Sequence, residues 1–249
     1  MSHIARLFLE DDLNSGVEVD LPDSQSHYVL RVMRMSDGAL VRAFNGRDGE
    51  WQCRLRVAGK RAHLVPETQT RPQSCGSDLI LLFAPIKKAR TDFIVEKATE
   101  LGVRTLQPVF TEYTQSNRVR TDRMRLLAIE AAEQTERMDI PDIREGAALA
   151  KVVSEWDSSL PLIFCDESAD ARPLQTAMDS QSSAAAGVLI GPEGGFSPRE
   201  RQMLSRLDFV VPITLGPRIL RAETAAIAAL TLWQSQLGDW QKRPYLPER

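Results

Sequence analysis

Two short apolar runs, each stopped by Gly-Pro and restarted as a helix, set what this chain can become. The first reads Val188-Leu189-Ile190-Gly191-Pro192-Glu193-Gly194-Gly195-Phe196-Ser197-Pro198-Arg199-Glu200. The second reads Pro212-Ile213-Thr214-Leu215-Gly216-Pro217-Arg218-Ile219-Leu220-Arg221-Ala222-Glu223-Thr224-Ala225-Ala226. An apolar run without polar alternation belongs to a strand covered on both faces, and such strands are parallel and deliver loops to one edge of a sheet. Ser197 with Glu200 three residues later, and Pro198 between them, forms a capping box that starts a helix. The cap alone contributes about 1 kcal/mol. Gly191, Gly194 and Gly195 let a ligand reach main-chain groups closely. One glycine-rich turn is an ordinary turn; two such loops in succession, each carrying a charged residue, predict a single pocket.

The rest of the C-terminal half keeps the same rhythm. Apolar strands are expected at Leu79–Ala84, Val103–Phe110, Leu160–Cys165, Gly187–Ile190 and Val210–Leu215. Helices are expected at Thr91–Leu101, Asp122–Met138 and Ala222–Leu237, the last apolar almost all round and so suited to a core position plus a subunit interface. This alternation predicts an α/β domain with a parallel sheet. The N-terminal part reads differently. Gly38–Phe44, the turn Asn45–Gly49 and Trp51–Val57 form a hairpin in which Trp51, Cys53, Leu55 and Val57 share one face and Gln52, Arg54 and Arg56 the other. Ser26–Arg34 is helical in pattern, with Arg31 and Arg34 one turn apart. Thr68–Ser77 carries no large apolar side chain and is rich in turn formers, which sets the domains at 1–72 and 73–249.

Charge and cysteine usage narrow the class. The chain of 249 residues has a formal net charge of only -3. Between Arg31 and Arg61, however, eight basic residues face three acids, a candidate phosphate-facing patch with a solvated strand face as the competing role. Cys53, Cys75 and Cys165 show neither disulfide nor zinc spacing, and His3, His27 and His63 are scattered, so no metal is expected. No apolar run reaches the length of a membrane span and the first residues lack a signal-peptide core, so the expected location is the cytoplasm. The first strand of the α/β half lacks GxGxxG after it, and Gly191–Gly195 does not lead into Gly-Lys-Ser/Thr; dinucleotide and P-loop sites are both disfavoured.

Gly-Pro-Glu-Gly-Gly-Phe-Ser and Leu-Gly-Pro-Arg-Ile-Leu-Arg-Ala-Glu-Thr-Ala resemble the two signature segments of the bacterial 16S ribosomal RNA uridine-N3 methyltransferases, members of the SPOUT superfamily. Lys87–Phe93, Lys97–Val103 and Ala131–Arg137 resemble further segments of that family, so the likeness covers most of residues 80 to 230. It implies a C-terminal knotted SPOUT methyltransferase domain, with a trefoil knot, behind a small N-terminal β-barrel similar to a PUA domain. It also implies S-adenosyl-L-methionine as cofactor, 16S ribosomal RNA or the small ribosomal subunit as partner, and a homodimer.

The cofactor residues implied are Ile190, Gly191, Pro192, Gly194, Gly195, Leu215, Gly216, Ile219, Leu220 and Ala225, with Cys165, Asp166 and Glu167 as a candidate third wall. For chemistry at a uridine N3, Arg221 is the first candidate to stabilise developing charge and Arg137 the second, with Glu193 as base. Glu193 could equally support the sulfonium charge, Arg221 could hold a phosphate or the cofactor carboxylate, and Glu223 suits a role against the helix dipole. Arg31, Arg34, Arg54, Arg56, Lys87, Lys88 and Arg90 are the candidate RNA contacts. A ribose 2'-O-methyltransferase of the same superfamily and a non-catalytic RNA-binding protein are the alternatives.

Overall fold

The computed structural model describes residues 4–116, 118–166, 171–178 and 185–243. The chain divides into two compact units, Met1–Cys75 with Ala132–Asp139, and Gly76–Ala131 with Ile140–Arg249.

The first unit contains β1 (Ala5–Phe8), β2 (Val19–Asp20), α1 (Asp23–His27), β3 (Leu40–Phe44), β4 (Glu50–Ala58) and β5 (Arg61–Arg71). They form one sheet in the order β1-β3-β4-β5-β2, with β1 parallel to β3 and the other pairs antiparallel. The two-residue period of β4 does what it implies: Cys53 and Leu55 are buried, Trp51 and Val57 pack against the same core, and Arg56 is exposed. After α1 the chain continues as a π-helical turn over Tyr28–Val32. Arg34 lies beyond that turn in the left-handed region at φ 53°, so it does not share a regular helical turn with Arg31.

Residues 132–139 are held in this unit by buried charge. The Arg6 guanidinium donates to Glu50 (2.6 Å) and to the carbonyls of Ala132 and Arg137 (both 2.7 Å), and lies 3.8 Å from the centre of the Phe44 ring. Arg42 makes a two-pronged contact with Glu136 (2.5 and 2.7 Å), and Arg71 reaches Glu50 (2.8 Å) and Glu136 (3.2 Å). Burial alone would raise the Glu50 carboxyl; the hydrogen bonds from Arg71 and Arg6 outweigh it and hold the group below the usual carboxylate range. These contacts also explain why the helix expected to reach Met138 stops at Gln134. Glu136 takes a left-handed backbone, φ 61°, which ends helical propagation and leaves its carboxylate facing Arg42 and Arg71.

The second unit contains β6 (Leu79–Phe83), α2 (Lys88–Glu100), β7 (Thr105–Phe110), α3 (Thr121–Gln134, whose last turn belongs to the first unit), β8 (Asp142–Ile143), β9 (Ala147–Ala148) and α4 (Leu149–Ser154). It continues through β10 (Leu162–Cys165), β11 (Arg172–Pro173), α5 (Leu174–Met178), β12 (Ala186–Ile190), α6 (Pro198–Leu204), β13 (Val210–Thr214) and α7 (Ala222–Gln236). The sheet order is β11-β13-β10-β12-β6-β7-β8, with β9 also on β7, and every pair is parallel.

Alternate strand residues face two cores. Leu79, Leu81, Phe83, Val188 and Ile190 pack with α2 and α7 through Ile94, Ala226, Leu230 and Trp233. Leu82, Leu189 and Phe164 pack with α4 and α6 through Val153 and Leu204. Coverage on both faces is why the strands read as unbroken apolar runs. Among the described residues, no helix is long and apolar enough to cross a membrane.

Candidate active site

Five adjacent parallel strands, β13, β10, β12, β6 and β7, present their C-terminal ends to one edge of the sheet. Loops leaving the C-terminal ends of such strands are where open α/β sheets bind ligands. The loops after β13, β10, β12 and β6 enclose a cavity of about 940 Å³, the size of a small-molecule site. Ile190, Gly191, Pro192 and Gly195 line it from one glycine loop, and Leu215, Gly216, Ile219, Leu220 and Ala225 from the other. Cys165 and Asp166 line it from β10, while Glu167 lies outside the described residues. Gly194 is not in the lining; it sits beneath the side chain of Tyr113.

The glycines have local causes. A side chain at Gly191 would place its Cβ 2.6 Å from the Phe196 ring, so only glycine lets the loop fold over that buried aromatic. Gly216 has φ 104°, a backbone that L side chains rarely adopt. The capping box is complete: Ser197 Oγ accepts from the Glu200 N–H (3.1 Å) and Glu200 Oε2 accepts from the Ser197 N–H (2.9 Å). Glu200 does a second thing that its spacing did not reveal. Its other oxygen accepts from the Glu112 N–H (2.9 Å) and ties the loop after β7 to the glycine loop after β12.

Charge gathers at the cavity. Arg90, whose side chain lines it, pairs with Glu193 and lies 3.4 Å from Glu223, whose second oxygen is buried without a hydrogen-bond partner. Glu223 therefore faces a guanidinium as well as standing in the first turn of α7. Asp166 is paired with Arg201, which also donates to the Phe196 carbonyl (3.2 Å). Arg221, the N-cap residue of α7, is exposed on the lining and makes no ion pair among the described residues. Burial pushes the Cys165 thiol up to about 12, which leaves it protonated at neutral pH and unsuited to act as a nucleophile.

Other expected residues lie elsewhere. Lys87 lines the cavity, whereas Lys88 is an exposed first residue of α2 outside the lining. Arg137 does not line it; its guanidinium is engaged by Asp139 at 2.8 Å. The basic stretch of the first unit is less free than its composition implies. Arg42 is buried, Arg47 pairs with Asp12 (2.7 Å), Arg54 makes two contacts with Glu67 (2.6 and 2.8 Å) and Arg56 lies 3.7 Å from Asp37. Arg31 and Arg34 are exposed, with no ion pair among the described residues.

The sequence pattern of an RNA methyltransferase domain matches residues 73–234, and that of an RNA methyltransferase PUA domain matches residues 21–66. The ribosomal RNA small subunit methyltransferase E of Rickettsia conorii is 30% identical over 90% of this chain and 93% of its own length. The chain belongs to the ribosomal RNA small subunit methyltransferase E family. A member from Neisseria gonorrhoeae, solved with S-adenosylmethionine bound, is 30% identical with a TM-score of 0.82 over 96% of this chain and 100% of that one. A Legionella pneumophila methyltransferase, solved with its cofactor SAM, is 28% identical with a TM-score of 0.86 over the same shares, 96% and 100%. The fold is accordingly the parallel α/β core of SPOUT methyltransferases with a curled, PUA-like N-terminal sheet.

Proposed function

We propose that this protein methylates N3 of a uridine in 16S ribosomal RNA, with S-adenosyl-L-methionine as donor. The observation that carries the reading is the convergence of both Gly-Pro loops on one cavity with Arg90, Glu193 and Arg221 at its lining. The residues present fit the donor. Main-chain groups of Ile190, Gly191 and Gly195 on one loop and of Leu215, Gly216, Ile219 and Leu220 on the other would hold an uncharged purine nucleoside. When bound, the donor supplies an electrophilic methyl group on a positively charged sulfur.

This chain's own residues handle the uridine. N3 carries a proton at neutral pH, and its lone pair becomes nucleophilic only as that proton leaves. With an imide pKa about two units above the working pH, forming the anion costs roughly 3 kcal/mol. Glu193 takes the proton, and Arg221, with no carboxylate partner among the described residues, stabilises the charge that spreads onto the uracil oxygens. Lys87, Lys88 and Arg90 are kept as contacts to the RNA backbone.

The chain acts as a homodimer in the cytoplasm, with the half-buried Ile227, Ala228 and Leu232 of α7 supporting a subunit interface. The trefoil knot rests on the family resemblance; in this sheet the chain passes from β12 over β10 to β13 before α7 packs against α2 and β12. Incubation with labelled donor and small-subunit particles, followed by nucleoside mass spectrometry, tests the reaction. A methyl group on uracil is expected. A methyl group on ribose would turn the assignment to 2'-O chemistry, and absence of donor binding in calorimetry would leave only an RNA-binding protein.

A further inference from the structure

The loop after β7 contributes an aromatic side chain that the reaction above does not use. β7 is the fifth parallel strand of the row, so its C-terminal loop leaves from the same sheet edge as the glycine loops. Tyr113 in that loop lies against the glycine turn: a Cβ placed on Gly194 would be 3.4 Å from Tyr113 Cβ and 3.7 Å from its ring. The residues on either side of Gly194, Glu193 and Gly195, both line the cavity.

The turn that carries the ring is held in place. Thr111 N–H donates to Thr114 Oγ1 (2.9 Å), the two threonine hydroxyls are hydrogen-bonded (2.8 Å), and Thr114 N–H closes the turn onto the Thr111 carbonyl (3.1 Å). The Glu112 N–H is anchored on Glu200, the same carboxylate that caps the helix following the glycine loop. Yet 48% of Tyr113 is exposed. A large ring on an anchored turn, half open to water and against the glycine loop whose flanking residues line the cavity, suits a flat partner that arrives from outside.

We propose that Tyr113 is the platform on which the target nucleobase stacks once it has left the RNA helix. The inference rests on the reading of the cavity as a base-modifying site. An enzyme that reacts at a base must take it out of its stack, and an aromatic face replaces the stacking energy that the base gives up. A tyrosine ring does this for any base, so Tyr113 sets the grip on an unpaired pyrimidine while neighbouring polar groups set its identity.

The test uses the full chain with Tyr113→Ala, Tyr113→Leu and Tyr113→Phe. Binding of a short labelled oligouridine is measured without donor, and KM and kcat are measured on small-subunit particles. Loss of the ring in Tyr113→Ala should weaken oligouridine binding and raise the RNA KM by about five- to a hundred-fold, the span of base–aromatic stacking, with donor affinity and melting temperature unchanged. Tyr113→Leu, which keeps bulk without a π face, should lose as much, and Tyr113→Phe should behave as wild type. Leucine binding RNA as well as tyrosine, or phenylalanine losing as much as alanine, would overturn the proposal. A wild-type protein that binds oligouridine through Tyr113 but transfers no methyl group would instead overturn the reaction assigned to the cavity.

Discussion

Two groups of arginines and carboxylates do opposite things in this molecule. In the first unit Arg6, Arg42 and Arg71 converge on Glu50 and Glu136, and the Glu50 and Arg6 side chains are 0% and 1% exposed. In the second unit Arg90 lies between Glu193 and Glu223, with side chains 32%, 40% and 14% exposed. Withdrawing charges from water costs several kcal/mol per ion, so the first group is tolerable only because each member is met from several sides. An exposed pair is worth about 0–1 kcal/mol, so the second can exchange partners when an anion or a base arrives. The closed group fixes residues 132–139 in place; the open one leaves charge available at a cavity.

Removing one member of each group separates these roles. Glu50→Gln leaves the buried Arg6 without its principal counter-charge and should lower unfolding stability by roughly 3–5 kcal/mol, read as a shift of the urea midpoint. A change below 1 kcal/mol would mean that water reaches the cluster. Glu193→Gln should leave that midpoint where it is and slow methyl transfer on the order of a hundred-fold, the scale of losing a general base. Arg221→Ala should act similarly on kcat while sparing donor affinity, as loss of a charge-stabilising donor does. Equal losses of rate and donor affinity would move Arg221 into the cofactor site.

Acid should weaken the closed group. Glu50 is held below its ordinary range in the folded chain, so its contribution is complete above the unfolded-state value of about 4.3 and is lost as pH falls through the folded-state value. Wild-type urea midpoints should fall with acidification below about pH 4.3 more steeply than those of Glu50→Gln. Parallel curves would show that other carboxylates control acid unfolding.

What could be read in advance follows the same division. The strands, the helix at Ser197 and the glycine loops were legible because each depends on neighbours within a few residues: two-sided burial, a three-residue cap, a ring beneath Gly191. The end of α3 was not, because no glycine marks the left-handed turn at Glu136 and its partner Arg42 is 94 positions away. Asp166 with Arg201, and Tyr113 on Gly194, likewise depend on which parallel strands lie side by side, and no local pattern states that order. The basic stretch from Arg31 to Arg61 looked uniform for the same reason: spacing counts charges and does not show which are already matched.

That difference can be measured, with the smallest effect expected of these changes. Arg31 and Arg34 are exposed without ion pairs among the described residues, whereas Arg54 is clamped by Glu67, and in the folded chain the two form a pair of low net charge. A cation that is already neutralised releases few counterions when RNA docks. Replacing Arg31 and Arg34 with alanine should therefore flatten the salt dependence of RNA binding by about 0.7 log units per lost single-strand phosphate contact, and replacing Arg54 should change it less. If Arg54→Ala flattens the slope as much as the Arg31 and Arg34 replacements, its bond to Glu67 opens on RNA and the strand face of β4 joins the contact surface. If none of them changes it, Arg31, Arg34 and Arg54 make no phosphate contact, and the electrostatic attraction comes from other basic residues, with Lys87 at the cavity the first to replace.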